Sequence, residues 1–71
     1  PEPPLEPVYR NASLTVYDRG KRFASVYAVA NRWDWDGRSR CAEVQEHESG
    51  SAFSREAAER AARNWVMGKP Q

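Results

Sequence analysis

The sequence of 71 residues contains one cysteine, Cys41, and one histidine, His47. A single cysteine cannot form an internal disulfide, which excludes the disulfide-stabilised scaffolds of small secreted proteins. A single histidine leaves no second imidazole at the spacing that holds zinc, and the sequence has no Gly-rich phosphate loop. We therefore expect no metal, no cofactor and no evident small-molecule ligand.

Long apolar runs and an excess of one charge are also lacking. The longest uncharged run, residues 23–31, is far too short to span a membrane, and no signal peptide is visible. The formal net charge of +1 requires neither nucleic acid nor an anionic membrane as a partner. We expect a cytoplasmic protein that does not bind membranes, while secretion stays open because the chain starts at Pro1 without a methionine.

The composition, 39% hydrophobic and 30% charged, is typical of a small globular domain. Residues 1–10 contain four prolines in their first seven positions, which predicts an extended tail. The tail is either mobile or laid over the domain by Leu5, Val8 and Tyr9. Residues 11–71 are expected to form a single β-β-β-α domain.

Alternating apolar and polar residues predict strands at about 12–18, 22–35 and 38–47. Two-residue turns are expected at Arg19-Gly20 and at Asp36-Gly37, since Asp-Gly is a strong hairpin signal. The predicted fold class is α+β, a three-stranded antiparallel sheet with one C-terminal α-helix packed on one face.

The helix is predicted at about residues 54–67. Ser54 is a suitable N-cap, and Glu59 is expected on the exposed side, paired with Arg63. The apolar stripe consists of alanines followed by two larger residues: Ala57, Ala58, Ala61, Ala62, Trp65 and Val66.

The two turns define a register in which Val16 faces Phe23 and Val29 faces Val44, all on the side of the helix. The opposite side then carries a strip of small residues along the middle strand, Ala24, Val26, Ala28 and Ala30. An apolar strip of this kind requires a cover, which is the proline-rich tail, a second copy of the chain or another partner.

The same register places Trp33 opposite Arg40 and Trp35 opposite Arg38, where each guanidinium could lie over an indole ring. Two interpretations stay open. The tryptophans either complete the core and stiffen the hairpin, or form a protruding patch of residue types that are enriched in binding hot spots.

Residues with catalytic potential are few. Asp34 and Asp36 would lie at a hairpin tip, which offers little desolvation to raise the pKa of a carboxyl. Neither Cys41 nor His47 lies in a nucleophile or metal-ligand motif. We therefore expect no catalytic residues and no enzyme.

The segment "SGSAF" followed by "SREAAERAARNWV" resembles the end of small uncharacterised β-β-β-α domains of Burkholderia-like proteobacteria. In those domains an aromatic residue, a Ser or Thr, an E-A-A run and a Trp recur. The resemblance covers residues 13–67 and implies the fold, while it assigns no activity.

The same segment is similar to the last helix of double-stranded RNA-binding domains. Ser54 stands at the cap position and Ala58, Ala61 and Ala62 correspond to packing alanines. The lysines of that family correspond to Glu56 and Glu59 here, and the family's first helix has no counterpart. This resemblance implies a weak accessory nucleic-acid binder.

The leading functional expectation is a non-catalytic protein-interaction module that binds a protein partner or a second copy. The expected contact residues are Trp33, Trp35, Arg38, Arg40, Ala24, Val26, Ala28 and Ala30. The alternative, nucleic-acid binding, would use the basic residues Arg22, Arg32, Arg38, Arg40 and Arg55.

Overall fold

The computed structural model describes residues 5–40 and 45–68, which form one antiparallel sheet with a helix packed on it. The predicted α+β class and the single C-terminal helix are confirmed, but the described sheet has five strands in chain order instead of three. The elements are β1 (Tyr9–Arg10), β2 (Leu14–Asp18), β3 (Arg22–Val29), β4 (Arg32–Ser39), β5 (His47–Ala52) and α1 (Arg55–Val66).

The turn between β2 and β3 lies one residue further along the chain than predicted. Gly20 adopts a positive φ of 90°, and the N–H of Arg19 donates to the carbonyl of Arg22 across the turn. Val16 consequently pairs with Ser25 instead of Phe23. Because the register moves by two residues, the residues that share a face of these two strands stay the same.

The second predicted turn is wrong. Chain reversal occurs at residues 30–31, where Ala30 has a φ of 51°, and Val29 pairs with Arg32. A positive φ at the first central position alone is the pattern of a type II′ turn. Asp36 and Gly37 lie inside β4, so the predicted strand 22–35 is in fact two strands.

The predicted third strand, 38–47, is also wrong in its bounds. Its first two residues belong to the end of β4, and His47 begins β5. Val44, for which a pairing with Val29 was predicted, lies outside the described residues, as does Cys41. Tyr9–Arg10, which were assigned to the tail, form β1 and pair with β2.

The helix prediction is confirmed to within one residue at each end. The Ser54 hydroxyl accepts a hydrogen bond from the backbone N–H of Ala57, which satisfies one of the free donors of the first turn. Ala58, Ala62, Trp65 and Val66 are buried against the sheet. Among the described residues, no helix has the length and apolar character needed to cross a membrane.

The helix covers the side of the sheet that was expected to be open. Ala24 and Val26 are 0% exposed beneath it, whereas Phe23 and Tyr27 face the other side. The reason is the turn at residues 30–31. It pairs Val26 with Trp35, so the even positions of β3 share the helix side with the odd positions of β4.

Two glycines make room for two tryptophans in this core. A Cβ at Gly37 would lie 2.5 Å from Cε3 of Trp65, and a Cβ at Gly50 would lie 2.6 Å from Nε1 of Trp35. The two indole rings meet at a centroid distance of 6.5 Å with a tilt of 47°. Small residues on the sheet therefore let the indole rings lie close to the backbone and fill a thin core.

A buried polar cluster fastens β1 and β2 to the helix. Glu59, 7% exposed, accepts hydrogen bonds from the hydroxyl of Thr15 (2.7 Å) and from Nε of Arg10 (3.1 Å). Arg55 lies 3.3 Å from the same carboxylate and also donates to Thr15 and to backbone carbonyls before and within β2. The expected exposed Glu59–Arg63 pair is thus wrong, and Arg63 instead donates to the hydroxyl of Tyr17.

Candidate functional site

The candidate site is the side of the sheet that the helix does not cover, here called the uncovered face. Alternation along each strand assigns its members. On β1 to β3 they include Tyr9, Leu14, Val16, Phe23, Ser25, Tyr27 and Val29. On β4 and β5 they are Arg32, Asp34, Asp36, Arg38, His47, Ser49 and Ser51.

The apolar half of this face consists of Tyr9, Leu14, Val16, Tyr27 and Val29. Tyr9 pairs directly with Val16, and Leu14 pairs with Tyr27, so the four side chains form neighbouring cross-strand pairs. Tyr9 and Tyr27 are 52% and 39% exposed, respectively, while the three aliphatic side chains are half-buried.

Tyr9 is held in place by the bend between β1 and β2. The side-chain oxygen of Asn11 accepts the backbone N–H groups of Ser13 and Leu14, which is an Asx-type turn. Its amide nitrogen donates to the hydroxyl of Tyr9 at 2.9 Å. The hydrogen bond orients this exposed ring before any partner arrives, which lowers the entropy that binding would lose.

The polar half, on β4 and β5, is a chain of internal ion pairs. Asp34 accepts from Nε of Arg32 at 2.9 Å, and Asp36 lies 3.5 Å from Arg38 and contacts His47. The hydrogen bond from Arg32 lowers the pKa of Asp34 from its ordinary value. These charges satisfy one another, so this half offers few free groups to a ligand.

One end of the uncovered face is closed by an arginine. Arg40 donates two hydrogen bonds of 2.7 Å to Asp18 and lies 4.5 Å above the ring of Phe23. These hydrogen bonds, with one from the N–H of Gly20, lower the pKa of Asp18 to about 2. Phe23 is thereby shielded, which sets the limit of the apolar half on this side.

Two basic side chains, those of Arg19 and Lys21, lie at the β2–β3 turn. Within residues 5–40 and 45–68, no carboxylate lies in salt-bridge contact with the side chain of Arg19 or Lys21. Both border an open depression of about 300 Å³ at the C-terminal end of α1. This positive charge lies at the turn of the β2–β3 hairpin, beside the end of α1 and beyond the limit that Arg40 and Phe23 set to the apolar half.

The predicted Trp/Arg patch is not assembled. Trp33 pairs with Ala28 and Ala52, and Trp35 pairs with Val26 and Gly50, so neither tryptophan opposes an arginine. Both tryptophans face the helix, as predicted. Arg38 and Arg40 lie on the uncovered face, on the other side of the sheet.

The two tryptophans differ in their surroundings. Trp35 is 4% exposed in the core, whereas Trp33 is half-buried at the core's edge beneath the guanidinium of Arg55, 4.9 Å from its ring centroid. This geometry corresponds to the interpretation in which the tryptophans complete the core.

The predicted alanine strip divides in two. Ala24 and Val26 are fully buried beneath α1, so the expectation that they lie on an open face is wrong. Ala28 and Ala30 are exposed at the far end of β3 and in the following turn. The described start of the chain does not cover the uncovered face, because Leu5 packs against the core on the helix side.

The five arginines of the nucleic-acid alternative are all engaged within the chain. Arg22 donates to the carbonyl of Trp65 and to Glu46, and Arg55 serves the Glu59 cluster. The remaining three, Arg32, Arg38 and Arg40, each pair with an aspartate. They lie on both sides of the sheet and do not form one basic surface.

Three of the residues considered for catalysis, Asp34, Asp36 and His47, lie together on the uncovered face. Asp34 and Asp36 lie two positions apart on β4, each beside its own arginine, and His47 contacts Asp36. Cys41 lies outside the described residues. In the part of the chain that the structure describes, no three His, Cys, Asp or Glu residues are grouped so that they could hold a metal ion.

The apolar half was missed because the predicted register placed its strand residues Leu14, Val16, Tyr27 and Val29 on the side of the helix, and because Tyr9 was assigned to the tail. Their alternation is clear in the sequence, and only the side of the sheet was reversed. The sequence did contain a signal for the correct side. Ala58 and Ala62 of the helix are as small as Ala24 of the sheet, and small residues on both elements let a helix pack close to a sheet.

Comparison of the chain with protein-family models, with curated proteins and with solved structures finds no match in any of the three.

Proposed function

We propose that the chain is a small, non-catalytic, cytoplasmic protein-interaction module that binds a protein partner through the apolar half of the uncovered face. The observation that carries the proposal is the pair of exposed tyrosines, Tyr9 and Tyr27, beside half-buried Leu14, Val16 and Val29, with the ring of Tyr9 oriented by Asn11. Tyrosine is among the residue types that dominate binding energy at interfaces.

The side-chain chemistry of the two halves supports this choice. An antiparallel sheet that leaves one face in water ordinarily carries polar residues there, as β4 and β5 do. The apolar half departs from that rule. Contiguous exposed apolar surface of this kind marks a site of interaction.

The expected partner presents an apolar element, because Arg32 and Arg38 of the polar half are already paired with aspartates of this chain and leave little charge for a partner to complete.

Nucleic acid is a weaker candidate for the same chain. Binding to nucleic acid requires cations that are free to neutralise phosphates and so displace their counterions. The five arginines named for this role are held by carboxylates or backbone carbonyls. The cytoplasmic assignment is supported by the use of one cysteine in the whole sequence.

Site-specific photo-crosslinking in the source cells tests the proposal. A photoreactive phenylalanine analogue replaces Tyr27 in one variant and Glu56, on the exposed side of the helix, in the control. Adducts with one defined protein are expected from position 27 and not from position 56. Equal labelling from both positions would contradict the proposal.

Affinity for the captured protein then separates a specific contact from proximity. Tyr27→Ser is expected to weaken binding at least about tenfold, since hot-spot truncations commonly exceed that loss. Arg60→Ser, on the far side of the helix, serves as the control and is expected to leave the affinity unchanged. A Tyr27→Ser variant that binds like the wild type removes the apolar half as the contact surface.

A further inference from the structure

The two edges of the sheet are protected very differently. β1 is two residues long and follows Pro7, so that edge offers little backbone for pairing. β5 is six residues long, contains no proline and pairs with β4 along one side. In residues 5–40 and 45–68, no strand pairs with its other side.

The backbone groups on the free side of β5 can be identified from the pairing. The N–H of Ser39 donates to the carbonyl of Glu46, so this pair is hydrogen-bonded. Bonded positions recur every second residue in an antiparallel ladder. The N–H and C=O groups of His47, Ser49 and Ser51 therefore point away from β4, toward solvent.

The side chains of β5 do not protect this edge. Natural edge strands are commonly guarded by lysine, proline or a bulge, because free edges pair with other chains. β5 carries one charge, Glu48, and small residues from Ser49 to Ala52. Phe53, directly after the strand, is 91% exposed, the highest value among the large exposed hydrophobic residues described.

We propose that β5 is a self-association edge, at which two copies of the chain pair β5 to β5 in antiparallel orientation and form a continuous sheet. The occupant is a second copy because β5 complements itself. The backbone groups that point to solvent belong to the odd-numbered residues of β5. Hydrogen bonds between two copies related by a two-fold axis must therefore join odd-numbered residues of one copy to odd-numbered residues of the other.

Charge disfavours the register centred on Glu48 and is compatible with the register centred on Gly50. With Gly50 on the two-fold axis, Ser49 faces Ser51 of the second copy and Glu48 faces the second copy's Ala52. The two Glu48 positions are then about 13 Å apart along the strands, beyond the screening length of roughly 8 Å. A register centred on Glu48 would oppose the two carboxylates directly.

The same register accounts for the exposed phenylalanine. Continuing the alternation of β5 by one residue places Phe53 on the side of His47. With Gly50 on the axis, Phe53 of one copy lies opposite His47 of the other, twice in the dimer. Two cross-strand aromatic pairs then cover side chains that are otherwise in water.

This inference does not rest on the proposed function, because the edge and the apolar half use different strands. An axis perpendicular to the sheet leaves both uncovered faces on the same side, where a partner could contact two apolar halves.

The expected dimer is weak, because pairing one strand from each copy buries less than the ~1,200 Å² of stable complexes. We therefore expect a monomer–dimer equilibrium at high micromolar concentration.

Sedimentation equilibrium of the wild-type chain, from tens of micromolar to about a millimolar, tests the proposal. Ser49→Pro removes one outward N–H and none that bonds β4, and Ser49→Ala is the matched control that keeps the N–H. Ser49→Pro is expected to raise the dimer dissociation constant at least about tenfold. Ser49→Ala is expected to leave that constant unchanged.

Phe53→Ser is a second variant that keeps the test valid if proline disturbs the fold, since Phe53 lies outside the strand and is almost fully exposed. It is also expected to weaken the dimer. In NMR spectra, amide shifts that depend on concentration should cluster in residues 47–53, with slowed exchange at Ser49 and Ser51.

Three results would overturn the proposal. One is a chain that stays monomeric at the highest concentration. Another is a dimer that a folded Ser49→Pro or Phe53→Ser variant leaves unchanged. The third is a dimer whose shifts fall on Tyr27 and Val16, which would mean that the copies stack through their uncovered faces.

Discussion

The benzene ring of Trp65 lies against the backbone of Gly37, so close that a Cβ at position 37 would come within 2.5 Å of Cε3 and 2.7 Å of Cζ3. The guanidinium of Arg22 lies over the same indole, 4.5 Å from the ring centroid, and donates to the carbonyl of Trp65. The indole of Trp65 therefore fixes the end of the helix through its contacts with Arg22 and with the backbone at Gly37.

Gly37→Ala is expected to destabilise the protein by about 1–3 kcal/mol, because an added methyl group in a filled core forces the ring or the strand to move. Chemical denaturation followed by tryptophan fluorescence measures the free energy of unfolding. The control is a double-mutant cycle with Trp65→Phe, which lacks the two ring carbons. If Gly37→Ala is equally harmful in both backgrounds, the ring contact is not the cause.

Ala30→Gly is expected to stabilise the protein by about 0.5–1 kcal/mol. A left-handed φ costs a non-glycine residue roughly 1–2 kcal/mol, and the greater freedom of glycine in the unfolded chain offsets about 0.5–1 of this. Ala30, at φ 51°, occupies that conformation.

Ala28→Gly is the matched control, since Ala28 is also an exposed alanine but lies within β3. It is expected to lose about 0.5–1 kcal/mol. Thermal melts of the two variants should therefore move in opposite directions. Equal shifts of the two melting temperatures would mean that the turn is not the source of the difference.

Local signals in the sequence predicted the parts of the fold that depend on local interactions. Ser54 and the alanine periodicity placed the helix to within a residue, because the cap and the apolar stripe act within a few turns. Gly20 marked the first turn to within one position. Both tryptophans of β4 were correctly expected to face the helix.

One error in the second turn produced most of the others. Asp36-Gly37 is a strong turn signal, but Gly37 is needed for another purpose, the close approach of Trp65. The actual turn uses Ala30, a residue that carries no turn signal. That choice is set by packing between distant residues, so it could not be derived from the local pattern.

The wrong position of the second turn also made the predicted site wrong. With the turn at the wrong place, Tyr27 and Val16 were assigned to the core and Ala24 to the surface. The alternation of the strands was correct, and the identity of the covered side was not. Asn11, which holds Tyr9, was not singled out, since its role depends on the bend between β1 and β2.

Thr15→Val is expected to destabilise the protein by about 1.5–3 kcal/mol. The substitution keeps the shape of a fully buried side chain but removes a hydrogen bond to a charged group, which is worth about that amount. It also removes an acceptor for Arg55. Unfolding in denaturant measures the loss.

Ser13→Ala is the control for this substitution. Ser13 is an exposed hydroxyl residue just before β2, and the hydroxyl that donates to Glu59 is that of Thr15. Its replacement is expected to change the free energy of unfolding by less than about 0.5 kcal/mol. A Thr15→Val variant that is as stable as Ser13→Ala would show that the cluster adds nothing to stability.

The stability of the fold is expected to fall in acid, and Glu59 should account for part of the fall. Burial alone would raise the pKa of this carboxyl, but the hydrogen bonds from Thr15 and Arg10 outweigh it and leave the pKa below its ordinary value of 4.5. The unfolded chain therefore takes up the proton at higher pH than the folded chain. The contribution of Glu59 is complete above about pH 4.5 and is lost as the pH falls through its folded value.

Asp18 acts in the same direction, since its pKa is lowered from 3.8 to about 2 by Arg40 and by the N–H of Gly20. Glu59→Gln should lower stability at neutral pH and flatten the acid side of the stability curve, whereas Glu56→Gln, at an exposed helix position, should leave the curve's shape unchanged. Denaturation at a series of pH values gives the slopes. An acid slope as steep in Glu59→Gln as in the wild type would assign the whole acid dependence to other groups, Asp18 first among them.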